Sequence, residues 1–152
     1  MEKKNLDWAN IGFEYVQTDK RYVANYKDGK WDEGGLTEDA GVVLNECAGV
    51  LQYAQTVFEG MKAYKDANDA IWLFRPDENY NRFNKSAVRM AMPEVPEEIF
   101  MNGLNQLLQL DEAWIKKGKG NAMYIRPFMI ATSTGVIANP SNDYKFMIIL
   151  SP

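Results

Sequence analysis

Apolar positions along the chain follow two periods, and each predicts its own elements. In "RYVANYKDGKWDEGG", from residue 21, aromatic-rich segments flank Asp28-Gly29, a dipeptide favoured in tight primed turns, so a β-hairpin is expected. "AGVVLNECAGVLQY" is apolar and β-branched and reads as a strand. "MKAYK" and "AIWLFR", separated by the turn-forming "DANDA", predict a second hairpin. The period then becomes helical. From Pro76, at a first helical position, Tyr80, Phe83, Ala87, Val88 and Ala91 recur at helical spacing until Pro93 stops the run. After "PEVPEE", Pro96, Glu97 and Glu98 suit the first turn of a second helix and its dipole. Phe100, Gly103, Leu104, Leu107, Leu108, Trp114 and Ile115 mark its buried face. "KKGKGN" is an exposed loop, and "AMYIRPFMIAT" and "YKFMIILSP" read as strands joined by the irregular "STGVIANPSND". The sum is an α+β, two-layer domain, a mostly antiparallel sheet with two main helices. The apolar strand "KFMIILSP" stands where domains ordinarily finish in polar linkers, so a domain border is expected there.

Composition narrows the chemistry. The 152 residues are 46% hydrophobic and 25% charged, ordinary for a globular domain, with a net charge of −4 that gives no general attraction to nucleic acid. No apolar run approaches membrane-spanning length, and "MEKKNLDWAN" lacks the apolar core of a signal peptide. With a single cysteine, Cys47, the expected compartment is the cytoplasm, without a membrane partner. There is no histidine, which removes the commonest general base and metal ligand, so no metal site is expected. Any chemistry must use carboxylates, lysines, tyrosines, arginines or a borrowed cofactor.

Three stretches could carry it. In "GNAMYIRPFMIA", strand alternation puts Tyr124, Arg126, Phe128 and Ile130 on one face and Met123, Ile125 and Met129 on the other. A charge in so apolar a run is costly unless an anion meets it. That anion is either a structural carboxylate or a ligand's carboxylate, to which the guanidinium fork is well matched. Pro127 cannot donate to a ladder, so this strand is expected at an edge or disturbed there. In "LFRPDENYNRFNKSAVR", Arg82, Lys85 and Arg89 form a basic helical stripe, either a solvated face or a phosphate grip led by Arg82. In "LQYAQTVFEGMKAYK", polar and aromatic residues precede Phe58-Glu59-Gly60, a pocket wall or a packed loop.

Taken in order, "YAQTVFEGMKAY", "LFRPDENYNRFNKSAVRM", "YIRPFMI" and "FMIILSP" resemble the N-terminal small domain of branched-chain amino-acid aminotransferases, fold-type IV enzymes dependent on pyridoxal 5′-phosphate. The resemblance spans almost the whole chain. It implies that Arg82 binds the cofactor phosphate and that Tyr53 and Phe58 line the substrate pocket. It also implies that Tyr124 and Arg126, in the "YxRP" motif, recognise substrate carboxylate, glutamate's side chain foremost. Implied partners are branched-chain amino acids, glutamate and 2-oxoglutarate, in a homodimer. One loop departs from the family pattern: Gly135-Val136 comes about two positions early, with Thr134 where leucine is usual. The family's cofactor-binding lysine lies in a second, C-terminal domain, none of which is in residues 1–152. Lys62 does not take that role, so this chain by itself is expected to be inactive and to hold no cofactor. Other type IV enzymes, D-amino-acid aminotransferase or aminodeoxychorismate lyase, fit "FEGMKAY" with "LFRP" less well. A free-standing carboxylate- or protein-binding domain is the reading from a different class.

Overall fold

The structure, a computed structural model, describes residues 7–152 other than 9 and 13. Most of the N-terminal stretch scanned for a leader therefore lies outside the described residues. Strand β1 (Arg21–Lys27) turns through Asp28 and Gly29 into β2 (Lys30–Trp31), with Lys27 opposite Lys30. Both turn residues have positive φ, 51° and 79°, the geometry Asp-Gly tolerates and primed turns require. Strand β3 (Gly35–Thr37) returns along β1.

Residues 40–53 do not form the expected strand. The Asn45 side chain accepts the Cys47 N–H (2.9 Å), and its carbonyl accepts the Ala48 N–H (2.9 Å), turning the chain into a five-residue helix, α1 (Gly49–Tyr53). Val43 is 98% exposed, so its β-branched side chain has no layer to enter. A strand needs a neighbour as well as a composition.

The remaining elements are β4 (Thr56–Phe58), β5 (Met61–Lys65), β6 (Ile71–Leu73), α2 (Pro76–Arg89), α3 (Glu97–Leu110), β7 (Met123–Ala131) and β8 (Tyr144–Ser151). The strands make one antiparallel sheet in the order β2-β1-β8-β7-β5-β6, with β3 on β1 and β4 on β7. Helices α2 and α3 cover one face. Phe83 and Phe100 meet Phe146 of β8 at ring-centroid distances of 5.5 and 5.7 Å, over Ile125, Met129 and Ile148. Burial of such side chains contributes about 1.5–3 kcal/mol each. Gly103 stands in the middle of α3 because Tyr22 packs against it: an added Cβ would lie 2.5 Å from the ring.

Two helical expectations change in detail. Helix α2 ends at Arg89, and Ala91 (φ 53°) breaks the chain before Pro93. Val88 and Ala91 are exposed, while Asn84 is buried, its amide donating to the Val95 carbonyl (3.0 Å) and accepting the Val95 N–H (2.9 Å). The Phe83–Ala87 row already faces the sheet, which turns Val88 outward. Trp114 and Ile115 are buried as expected but lie beyond α3, in and just after a 3-10 turn at Glu112–Trp114.

Strand β7 is central, not an edge: it pairs with β8 from Tyr124 to Ala131 and with β4 and β5 on its other side. Pro127 is accommodated by a break in that second neighbour. Between β4 and β5 only the Glu59 N–H reaches β7, donating to the Pro127 carbonyl (2.8 Å). A residue's N–H and C=O point to the same side of a strand, so the donor that proline lacks falls in this break. Of the two expectations for Pro127, the edge fails and the disturbance holds.

Candidate functional site

The break between β4 and β5, Phe58-Glu59-Gly60, organises two arginines. Alternation along β7 sends Tyr124, Arg126 and Phe128 to the sheet face away from the helices, where they are half-buried. There the Tyr124 hydroxyl accepts from Arg126 Nε (3.0 Å) and Nη2 (2.7 Å). The guanidinium carbon lies 4.3 Å from the centroid of the Phe58 ring, a cation–π contact worth about 0.5–1 kcal/mol. Gly60 allows this arrangement, since a Cβ there would sit 2.7 Å from the Tyr124 hydroxyl. Among the described residues no carboxylate lies within ion-pairing distance of Arg126, and its Nη1 has no protein partner. The Tyr124 hydroxyl accepts both bonds and donates to no protein group among the described residues, so its O–H is left to donate to a ligand. A phenol O–H beside a guanidinium edge is a receptor for a carboxylate.

Arg82 is held differently. Its Nε and Nη2 donate to the two oxygens of Glu59, each at 2.7 Å. The glutamate side chain is buried and the arginine side chain is 67% exposed. Burial pushes the Glu59 carboxyl up, but hydrogen bonds from Arg82 and the Gly60 N–H, with the charge of Arg82, outweigh it and leave the carboxyl below its ordinary value. The same pairing raises the Arg82 guanidinium further. Arg82 Nη1 is also without a protein partner among the described residues. It borders an open depression of about 480 Å³ whose walls include Arg75, Asn79, Asn81 and Lys85. Arg75 is paired with Glu78 and Arg82 with Glu59, so the excess positive charge at the depression comes from Lys85, beside the remaining guanidinium N–H edges, a set of donors that an anion such as phosphate can accept from. Lys85 and Arg89 are exposed, with no ion pair among the described residues, so Arg82 alone of the stripe is fixed.

The structure brings Phe58, Tyr124 and Arg126 together. It sets Tyr53 elsewhere, at the end of α1, lining a cavity of about 310 Å³ with residues of the 133–142 loop. That loop is tied to α1 by an Ala48–Thr134 bridge and by the Gly49 N–H on the Ser133 carbonyl (3.1 Å). Sequence reasoning assigned Glu59 no role. Its signal was available: an acid beside a glycine, between two aromatic-bearing strands that alternation leaves exposed.

This sheet with its two helices is the fold of solved branched-chain aminotransferases. The Escherichia coli enzyme aligns with 90% of the chain at a TM-score of 0.65 and 20% identity, over 40% of its own length. The Thermoproteus uzoniensis enzyme, solved with norvaline, aligns with 89% at a TM-score of 0.64 and 19% identity, over 41% of its length. A third, from T.th., is complexed with N-(5′-phosphopyridoxyl)-L-glutamate and aligns at a TM-score of 0.68. By sequence the chain belongs to the branched-chain-amino-acid aminotransferase family. It is 39% identical to the Haemophilus influenzae enzyme over 98% of its length and 40% identical to branched-chain-amino-acid transaminase 1 of Bacillus subtilis over 99%. The chain spans 44% and 42% of those relatives' own lengths. No family model matches the chain.

Proposed function

We propose that residues 1–152 are the N-terminal small domain of a branched-chain aminotransferase, which in complete form moves the amino group of leucine, isoleucine or valine to 2-oxoglutarate. The observation that carries this reading is Arg126: a half-buried guanidinium held by Tyr124 and Phe58, with no carboxylate partner among the described residues. Arg126 Nη1 and the Tyr124 hydroxyl bind substrate carboxylate, while Phe58 shields them from water and gives aliphatic side chains an apolar wall. Tyr53 lines a separate cavity with the 133–142 loop, apart from this cluster. Arg82, with Lys85 and Arg75 near it, fits the phosphate of pyridoxal 5′-phosphate through its free Nη1 edge. When bound, that cofactor supplies the electron-accepting ring needed for amino-group transfer. This chain's residues orient substrate and hold the phosphate. The lysine that such chemistry requires belongs to a second domain, so the 152-residue chain alone is inactive and retains no cofactor.

Exposed Leu51, Tyr53, Val136 and Ile137 on α1 and its loop, Phe58 and Trp72 on the sheet and Phe74 just after β6 support association as a two-fold dimer. No helix among the described residues is long and apolar enough to cross a membrane, and the lone cysteine supports a cytoplasmic setting. Reading the source locus beyond Pro152 and assaying the complete product with leucine and 2-oxoglutarate tests the proposal. A continuing frame with amino-group transfer supports it. A stop at Pro152, with binding of simple carboxylates and no turnover, would favour a free-standing carboxylate-binding domain, the second reading that an unpaired Arg126 allows.

A further inference from the structure

The pairing of Arg82 with Glu59 is unusual in its asymmetry. One partner is a buried carboxylate, the other a largely exposed guanidinium. An exposed arginine ordinarily samples many rotamers and loses that freedom when it grips a ligand. Here the freedom is already removed. Glu59 Oε1 accepts the Gly60 N–H (2.8 Å), and the Glu59 N–H is fixed to the Pro127 carbonyl, so the carboxylate is referenced to the sheet itself. Asn79, one turn before Arg82 on α2, donates to the Gly60 carbonyl (3.4 Å) and ties the helix to the same segment. Both carboxylate oxygens are turned inward on Arg82, which leaves Nη1 as the outward edge.

We propose that Glu59 is a positioning residue: it holds Arg82 by Nε and Nη2 so that the Nη1 edge is presented, preformed, to a phosphate group. The proposal rests on the reading of Arg82 as the phosphate-binding arginine. The preorganisation places the ordering cost in folding rather than in binding. Lys85 borders the same depression without such an anchor, so it contributes charge without direction. Because the same three residues also seat Phe58 on Arg126 and make room for Tyr124, the segment sets the two anion-binding arginines in one frame.

The test compares E59Q, E59D, R82A and the E59Q/R82A double variant in the complete cofactor-loaded protein, with pyridoxal 5′-phosphate retention after dialysis as the readout. E59Q should speed cofactor loss roughly fivefold to tenfold, R82A at least as much, and the double variant no more than R82A, the non-additivity of two residues acting as one unit. E59D keeps the charge and the two oxygens but is one methylene shorter, so it meets the Arg82 fork at a longer distance and should fall between wild type and E59Q. It also keeps the comparison available should E59Q fail to fold. Guanidinium NMR of the 152-residue chain gives a second readout, in which Arg82 Nε–H should be dispersed and slow to exchange in wild type and average with exposed arginines in E59Q. Wild-type retention in E59Q with loss in R82A, or an unchanged Arg82 signal in E59Q, would overturn the positioning role alone. Wild-type retention in R82A would overturn the phosphate reading, and the positioning role with it.

Discussion

Arg82 and Arg126 spend the same atoms internally and end in different electrostatic states. Each donates Nε and Nη2 to an anchor and leaves Nη1 outward. Arg82 is anchored by a carboxylate and carries almost no net charge with its partner. Arg126 is anchored by a phenol and an aromatic ring, which orient the cation without neutralising it. Under the function proposed above, the difference shows how one residue type would serve two anions. An anchored, neutralised guanidinium offers geometry and suits a dianion that other cations also attract. An oriented but unneutralised guanidinium keeps its full attraction for a monoanion, and its half-buried setting strengthens that attraction relative to bulk water.

The sharpest way to break the comparison is to remove the unneutralised charge. In the complete enzyme Arg126→Met should cost about 2 kcal/mol in transition-state stabilisation with glutamate, and clearly less with leucine, as read from kcat/KM for each substrate. Equal losses, with a lowered melting temperature, would reduce Arg126 to a structural residue. Next in size, Arg82→Ala should release pyridoxal phosphate about tenfold faster while leaving the leucine-to-glutamate preference nearly intact, as expected for one charge-assisted contact among several. Arg89→Ala is the control, and Lys85→Ala, which removes charge without a fixed direction, should have a smaller effect than Arg82→Ala. Three equal small effects would make the stripe an ordinary solvated face. Gly60→Ala acts on the frame shared by both arginines. The new Cβ meets the Tyr124 hydroxyl, so a loss of about 1 kcal/mol in stability is expected from thermal or denaturant unfolding.

The smallest effect contrasts two buried carboxylates. Burial raises the Glu59 carboxyl, but the hydrogen bonds and the Arg82 charge described above outweigh it and leave it below its ordinary value of 4.5 in the folded state. Its contribution is therefore complete above that value and disappears as pH falls through the lowered one. Asp111 follows α3 directly; it is fully buried, and its Oδ1 has no hydrogen-bond partner among the described residues. Burial raises its carboxyl above 3.8, against hydrogen bonds from Thr18 and the Lys20 N–H. Its charge therefore costs stability as pH rises from 3.8 through the raised value. Urea midpoints between acid and neutral pH should show E59Q flattening the acid-side loss and D111N flattening the opposing trend. The same slope in both variants would contradict the contrast.

The pattern of the chain determined helices α2 and α3, its two predicted hairpins and the two faces of β7, because periodicity and turn chemistry act within a few residues of sequence. It likewise put Tyr124 and Arg126 on one surface, two positions apart. Only the tertiary structure decided what lies across space. Residues 40–53 have a strand's composition but find a single bridge, Ala48 to Thr134, in place of a neighbouring strand, and only Gly49–Tyr53 become regular, as α1. Pro127 sits in a central strand because the break at Glu59 and Gly60 faces the donor it lacks. In the middle of α3, propensity would favour alanine over Gly103 by about 1 kcal/mol, and the Tyr22 ring forbids it. Glu59 and Arg82, separated by 23 positions, became a pair only when β4 was laid beside α2. Local patterns report on the face a residue presents. The anion or ring that meets that face is chosen by packing between distant segments, a property no short window of sequence contains.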